Sequence, residues 1–498
     1  MKGVAALLVL VTLLAPAACT NTSPGAGSGR GGEALETLDG EPVSPAELEA
    51  AIEEAMQKAN VAGLSVAIIN DGHIAYTHAF GFRDKSAGIP FDTETATGAA
   101  SLSKTVFAYL VMLLAEEGVI DLDQPLQAYL SRPLPDYPAY ADLAGDDRYQ
   151  QITARMVLSH STGFPNWRWI EPDGRLKFLF APGTRHSYSG EGIALLQMVV
   201  EEVTGRDLET LARQRVFDPL GMTRTSYAWQ ETFEANAARP HDEFGRPQRL
   251  PRRTQPDAAG SMFTTAGDYA RLLAAILQAT GQRKATVDEM LRSQIAISYE
   301  QMFGPGAWRD TNTYQGLGLA WGLGWGRFDT QQGRAFFHTG HDFGYQNYTV
   351  TYADRGIGIV LLSNSDNFES VAREIVQAAI GDRYSPFDWL GYVPFDPARV
   401  KTPPPEPVAI DVAPAILQAY VGVYELSADT VLYFKVEDGK LYSSFDGEQW
   451  DPLYAESETR FFAQGDDTRV VFVKDAAGQV TGLNLEIQGA VLPARKTR

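Results

Sequence analysis

The chain runs to 498 residues, with 42 Lys and Arg against 62 Asp and Glu, a formal net charge of −20. Such acidity argues against a nucleic-acid binder, which needs clustered cations to neutralise phosphates. A content of 44% hydrophobic and 21% charged residues excludes long disorder, and the single cysteine, Cys19, excludes an internal disulfide framework or a zinc site built on several thiolates.

Met1 and Lys2 lead into the apolar run Val4–Leu14, the size of a secretory h-region and too short to span a bilayer. The small residues Ala15-Pro16-Ala17-Ala18-Cys19 follow. They resemble the bacterial lipobox, whose cysteine is lipidated and becomes the mature N-terminus, with Pro16 standing where that motif has an aliphatic residue. Cleavage after the A-x-A of Ala15–Ala17 is the alternative, and leaves a soluble secreted protein. Thr20–Gly32, rich in Gly and Ser, reads as a flexible tether. Residues 1–40 are therefore expected to be export signal and tether, on a protein that is periplasmic, membrane-anchored or secreted.

From residue 41 to 385 the pattern is that of one α/β (α+β) domain. Ala46–Ala59 has helical apolar spacing, and Leu64–Ile69 and Ile74–Phe80 flank the turn Asn70-Asp71-Gly72 as a hairpin. Tyr345–Tyr352 and Ile357–Ser363 flank Ala353–Gly356 in the same way, and Phe368–Ile380 reads as a closing helix. Terminal helices would thus cover one antiparallel sheet, with an inserted, mostly helical region between Leu102 and Leu291 and a cleft where the two meet. Between Pro386 and Pro414 there are 8 prolines in 29 residues, against 20 in the other 469, which predicts an extended linker. Residues 415–498 carry short aromatic-rich runs, Val431–Val436, Lys440–Phe445, Arg460–Ala463, Arg469–Val473 and Val480–Glu486, separated by Asp, Gly and Asn turns. That pattern predicts a small antiparallel barrel or sandwich.

The densest chemistry lies at Gly98-Ala99-Ala100-Ser101-Leu102-Ser103-Lys104, just before an apolar helical pattern. At i and i+3 on one helix face, Ser101 and Lys104 bring a hydroxyl to an amine. Serine becomes a nucleophile only when a base takes its proton, and lysine serves as that base once burial lowers its pKa. Alone, S-x-x-K is a common chance match, with an N-cap serine and a solvated lysine as the plain alternative. Two later stretches change its weight: Arg185-His186-Ser187-Tyr188-Ser189-Gly190 and Phe336-Phe337-His338-Thr339-Gly340-His341-Asp342.

Together these resemble the serine β-lactamase and penicillin-binding-protein-like hydrolases, in the branch of class C β-lactamases, D-alanyl-D-alanine carboxypeptidases, D-aminopeptidases and esterases. The family motifs S-x-x-K, Y-x-N and K/H-T-G map in order onto Ser101–Lys104, Tyr188–Gly190 and His338–Gly340. Supporting stretches are Ile120–Pro125, Val157–Gly163 and Gly260–Thr265, and the resemblance spans residues 45–382. It implies that Ser101 is acylated, that Lys104 takes its proton, and that Tyr188 relays a proton to the leaving group. It also implies that His338, Thr339 and Gly340 line the cleft on an edge strand, with His338 acting electrostatically on Tyr188. The oxyanion hole would be the backbone N–H groups of Ser101 and His341. Two departures stand out: Gly190 replaces the asparagine that resembling enzymes use to hold a substrate amide, and His338 stands where class C β-lactamases have lysine. Both point from penicillin hydrolysis towards an esterase or peptidase, with a β-lactamase or carboxypeptidase as the alternative and a catalytically inactive sensor as a third reading. The C-terminal segment resembles the lipocalin-like appendages of relatives. No cofactor is implied, only a small-molecule or peptide substrate with an acyl group.

Single residues elsewhere read more plainly. His160 reads as a structural residue that hydrogen-bonds a loop near the serine helix, and His73, His78 and His241 lack ligand spacing, so no metal is expected. The glycines of Gly316–Gly322 lack the strand-turn-helix context of a nucleotide loop. Phe164–Trp169 reads as surface packing or as a hydrophobic wall for an acyl group.

Overall fold

The computed structural model describes residues 34–497 apart from 404, 406, 428–429, 446, 448–449, 464–467 and 488–489; Cys19 and the export signal lie outside the described residues. Eleven strands form in the first domain: β1 (Gly63–Asn70), β2 (His73–Asp84), β3 (Ile89–Pro90), β4 (Thr97–Gly98), β5 (Phe263–Thr264), β6 (Ile295–Ala296), β7 (Ala320–Trp321), β8 (Gly326–Thr330), β9 (Gly333–Asp342), β10 (Tyr345–Tyr352) and β11 (Ile357–Ser363). Nine of them make one sheet in the order β3-β2-β1-β11-β10-β9-β8-β7-β6, and β4 pairs with β5 apart from it. Every pairing is antiparallel, so alternate side chains of the central strands feed opposite faces.

That alternation builds two cores. Leu64, Val66 and Ile68 of β1 and Ile359 and Leu361 of β11 pack with the terminal helices Pro45–Ala59 and Glu369–Ile380. Ala67, Ile69, Val360 and Leu362 point the other way, into a core shared with the long helix Ser103–Glu116 and the inserted helical region. The first helix starts at a capping box, with Glu47 N–H on Ser44 Oγ and the Glu47 carboxylate back on Ser44 N–H, and ends at Asn60 in the left-handed region. Both flanking hairpins and the closing helix form where the periodicity placed them.

The segment boundaries differ from the sequence reading at both ends. Leu35 and Leu38, assigned to the tether, are buried against the terminal-helix core, and Leu35 bridges Val43. Residues 386–414 are not an extended linker throughout. Phe387–Leu390 is a short helix whose Phe387, Trp389 and Leu390, followed by Tyr392, are buried in the same core. The density of aromatics there outweighs the prolines, because burying a large ring returns more free energy than a solvated linker conformation offers. At the far end, Ile410 bridges Ala455 and so belongs to the next domain.

That second domain is a closed barrel of eight strands paired in chain order between Gly422 and Lys496. Closure removes free edges. The aromatic runs supply Phe434, Phe461 and Phe472 to its core: Tyr420, at the end of the helix Pro414–Tyr420, stacks on Phe472 at 3.8 Å, and Tyr424, Phe434 and Phe461 meet the same ring edge-on. Three strands escaped the sequence reading, Gly422–Ser427, Asp451–Ala455 and Ala490–Lys496, the last two because Pro452 and Pro493 break the pattern of a strand.

Candidate active site

The cleft opens at the end of the sheet where β9 runs past its neighbour. β8 pairs only with Gly333–Phe337, leaving His338–Asp342 as an open edge. The two-residue turn Phe343–Gly344 makes Asp342 and Tyr345 a closely bonded pair, so by ladder alternation the N–H of His341 faces away from β10 and into the cleft.

Opposite that edge stands the serine turn. Ala100 has φ 48°, a left-handed conformation that costs a non-glycine residue energy and here tips the chain from β4 into the short turn Ala100–Leu102 ahead of the long helix. Gly340 allows the two to approach, since a Cβ there would lie 2.4 Å from the carbonyl oxygen of Ala99. The Ser101 N–H has no hydrogen-bond acceptor among the described residues, so Ser101 and His341 each offer a free backbone donor at this edge.

Lys104 follows one turn after Ser101, and its Nζ lies 3.0 Å from Ser101 Oγ while also bonding the Ala259 carbonyl. The side chain is 1% exposed, and Nζ sits 5.1 Å above the Tyr188 ring. Burial pulls its pKa down to about 7, against the opposing pull of Asp257. At neutral pH a large share of this amine is therefore uncharged, with a lone pair for the serine proton.

Tyr188 is buried, and burial pushes its phenol above the ordinary tyrosine value while the nearby Ser101 hydroxyl acts to lower it. Its Oη makes no well-formed hydrogen bond among the described residues. Trp321 holds the surrounding rings in place, its indole 5.3 Å from His160, 5.0 Å from His186, 5.9 Å from Tyr188 and 5.6 Å from His338. His160 Nδ1 accepts from the Ser189 N–H at 3.2 Å, the loop-fixing contact expected of it.

His338 departs from the sequence reading. Strand alternation turns it and Gly340 inward, so Thr339 and His341 line the cleft instead. Burial, then the charge of Lys104, lower the His338 pKa to about 3. Its imidazole is thus neutral, and it acts on Tyr188, 6.0 Å away between ring centres, as a dipole rather than a cation. His341 lies in the open with Nδ1 2.9 Å from Glu369 Oε1. Partial burial works to lower its pKa, but Glu369, Asp366 and Asp342 more than offset that and raise it.

The remaining walls are largely residues that the sequence did not single out. Asn166, Met302, Phe303, Glu369, Leu390 and Tyr392 join Ser101, Trp167, Tyr188, Thr339 and His341 around a cavity of about 340 Å³. Thr339 and Tyr392 share a hydrogen bond between their hydroxyls. Trp167 is the hydrophobic wall weighed from the aromatic run, whereas its neighbour Trp169 is exposed. Met302 and Phe303 carry no periodic signal, and Tyr392 was hidden in the proline-rich stretch, where the aromatic count was the only clue.

Residues 48–381 match the family model described as Beta-lactamase, and residues 406–495 match one described as Domain of unknown function (DUF3471). Penicillin-binding protein 4* of Bacillus subtilis (strain 168) is 25% identical over 448 residues, covering 82% of this chain and 89% of that protein. Esterase EstB of Burkholderia gladioli is 26% identical over 52% of this chain and 77% of its own length, and a D-aminopeptidase of Brucella anthropi is 30% identical over 36% and 35%. Among solved structures, the octameric penicillin-binding protein homologue from Pyrococcus abyssi superposes with a TM-score of 0.56 at 22% identity, over 90% of this chain and 99% of that one. The family match spans well over half of the chain and coincides with the sheet, the helical region and the serine turn: this protein belongs to the beta-lactamase family, within the superfamily of beta-lactamase and penicillin-binding-protein-like serine hydrolases.

Proposed function

We propose that the protein is an exported serine hydrolase that cleaves an ester or amide bond through a Ser101 acyl-enzyme, of the esterase or D-amino-acid peptidase type. One observation carries this: a buried lysine amine, its pKa lowered to about 7, stands 3.0 Å from the hydroxyl of a serine whose own N–H is free. Neutral Lys104 takes the Ser101 proton as Oγ attacks the substrate carbonyl. The N–H groups of Ser101 and His341 receive the oxyanion, supplying charge stabilisation already in place before the reaction. Tyr188, held protonated by burial, is the donor to the leaving group as the tetrahedral intermediate collapses, and water then releases the acyl group. The relatives whose names are an esterase and a D-aminopeptidase support the esterase or peptidase reading over penicillin hydrolysis.

The lipobox-like run supports lipidation at Cys19, and the barrel is read as a lipocalin-like appendage on its eight-stranded closure. A fluorophosphonate probe tests the hydrolase reading. Labelling of the wild type and none of Ser101→Ala is the expected result; an unlabelled wild type beside a labelled control hydrolase overturns it.

A further inference from the structure

Behind Lys104 lies a tight turn, Asp257-Ala258-Ala259-Gly260-Ser261, whose Ala259 carbonyl accepts from the lysine amine. Asp257 closes that turn. Its side-chain Oδ1 accepts from the Ala259 N–H at 2.8 Å, its backbone carbonyl accepts from the Ser261 N–H at 3.1 Å, and its N–H donates to Ser261 Oγ at 2.8 Å. Gln197 fixes the turn to the helix Gly190–Thr204, receiving the Ala258 N–H at 2.7 Å and donating to the Pro256 carbonyl at 2.9 Å. The carbonyl that seats the base is thus held in place by the carboxylate two residues before it.

Asp257 also bears on the charge of the base. The other titratable groups packed round the amine are Tyr188, whose ring lies 5.1 Å from Nζ, and the imidazoles of His160 and His338. Burial keeps the phenol protonated and both imidazoles neutral. Asp257 is therefore the neighbour whose charge the amine meets, and it pulls against desolvation. Two groups face Asp257 in turn: Tyr227, held protonated by burial, and the guanidinium of Arg253. Arg253 donates to Asp342 Oδ2 at 2.8 Å and to the Gly260 carbonyl at 3.4 Å. Asp342, Arg253, Asp257 and Lys104 thus run as alternating charges from the end of β9 to the base, and Arg253 weakens the pull of Asp257 on the amine.

We propose that Asp257 is a positioning residue for the Lys104 base: its carboxylate fixes the carbonyl that seats the amine and governs the amine's charge, and Arg253 limits that influence. The inference rests on the Ser101 hydrolase reading, since Asp257 has this role only if Lys104 is the base. It separates two contributions of one residue. The seat depends on an oxygen acceptor, which asparagine also supplies, whereas the tuning depends on a charge that asparagine lacks. Asp257 is not among the residues that line the cavity, so it acts through Lys104 and not on the substrate.

The test follows kcat/KM for a p-nitrophenyl ester, and the rate of fluorophosphonate labelling, from about pH 5 to about pH 9. In Asp257→Asn the turn keeps its acceptor and loses the charge. The midpoint of the rise near neutral pH is expected to move down by about half a pH unit or more, with the plateau lowered about two- to threefold because a less basic amine draws the serine proton less strongly. Arg253→Gln should move the midpoint the other way, up by about 0.3 pH unit, since this guanidinium is 45% exposed and partly screened by solvent. Arg253→Lys keeps the charge and should restore the wild-type midpoint. A role confined to structure would lower the plateau and Tm and leave the midpoint in place, so a folded Asp257→Asn protein with its midpoint within about 0.2 pH unit of wild type overturns the proposal. If Asp257→Asn does not fold, the two Arg253 variants decide, and equal midpoints in them overturn it. A wild type that neither cleaves the ester nor takes the label overturns the hydrolase reading itself, and one that reacts with no rise near neutral pH overturns Lys104 as its base; this proposal falls with either, before any variant is made.

Discussion

The two walls of the cleft are built on opposite principles. The inner wall, with Lys104, Tyr188, His160 and His338, is dry, and its polar groups are held in fixed geometry by rings that exclude water. There burial tunes protons: it strips charge from the lysine and histidines and keeps the tyrosine protonated. The outer wall, with Asn166, Trp167, Phe303, His341 and Glu369, borders solvent and leaves donors and acceptors available to a ligand. On the proposed hydrolase reading, the difference assigns reactivity and selectivity to different parts of the chain. Substitutions on the inner wall should change kcat whatever the substrate, and those on the outer wall should change the ranking of substrates.

The largest effect is expected at the nucleophile and its base. Ser101→Ala should reduce ester turnover by about a thousandfold or more, and Lys104→Ala by more than about a hundredfold, in p-nitrophenyl ester assays. Near-wild-type activity in either would break the inner wall's assignment. A linked test uses pH. Lys104 accepts a proton only when neutral, so wild-type kcat/KM should rise as pH increases through about 7 and then level off. That limb should vanish from the residual activity of Lys104→Ala and persist in His341→Asn, which removes the titratable imidazole of the cleft wall.

Tyr188→Phe comes next. Because Oη has no well-formed partner among the described residues, its removal should leave Tm nearly unchanged while kcat falls by about tenfold to a hundredfold. A matching drop in Tm would make the tyrosine structural instead. Gly190→Ala sharpens the boundary between the walls. Its Cβ meets the rigid indole of Trp167 at 2.5 Å, so a loss of about 1–3 kcal/mol in denaturant unfolding is expected, with partial recovery in the double variant carrying Trp167→Ala. Gly190→Asn therefore should not convert the enzyme towards β-lactams on its own. The smallest effect belongs to the outer ion pair. Glu369→Gln should change KM by only about threefold and leave kcat alone, since an exposed pair contributes little. A larger fall in kcat would place Glu369 in the reaction.

Much of this is legible in the sequence. The hairpins around Asn70–Gly72 and Ala353–Gly356 followed from alternation and turn residues, which act over a few positions and are written locally. The spacing of Ser101 and Lys104 likewise forecasts their meeting, because three residues along a helical turn return to the same face. The inward turn of His338 was within reach of strand alternation, but which face of β9 lines the cleft depends on the turn that packs against Gly340.

Other features had no local signal. That Leu35 and Leu38 are core, that Phe387–Tyr392 folds back to wall the cleft, and that Trp167 fills the place left by Gly190 are all contacts between distant segments. The sequence by itself determined the flanking hairpins, the barrel class of the C-terminal segment and the meeting of Ser101 with Lys104, since these depend on side-chain chemistry and short spacing. Only the tertiary structure decided the protonation of Lys104 and the neutrality of His338. Desolvation and hydrogen-bond partners come from whatever the rest of the chain packs around a group, and no motif carries that.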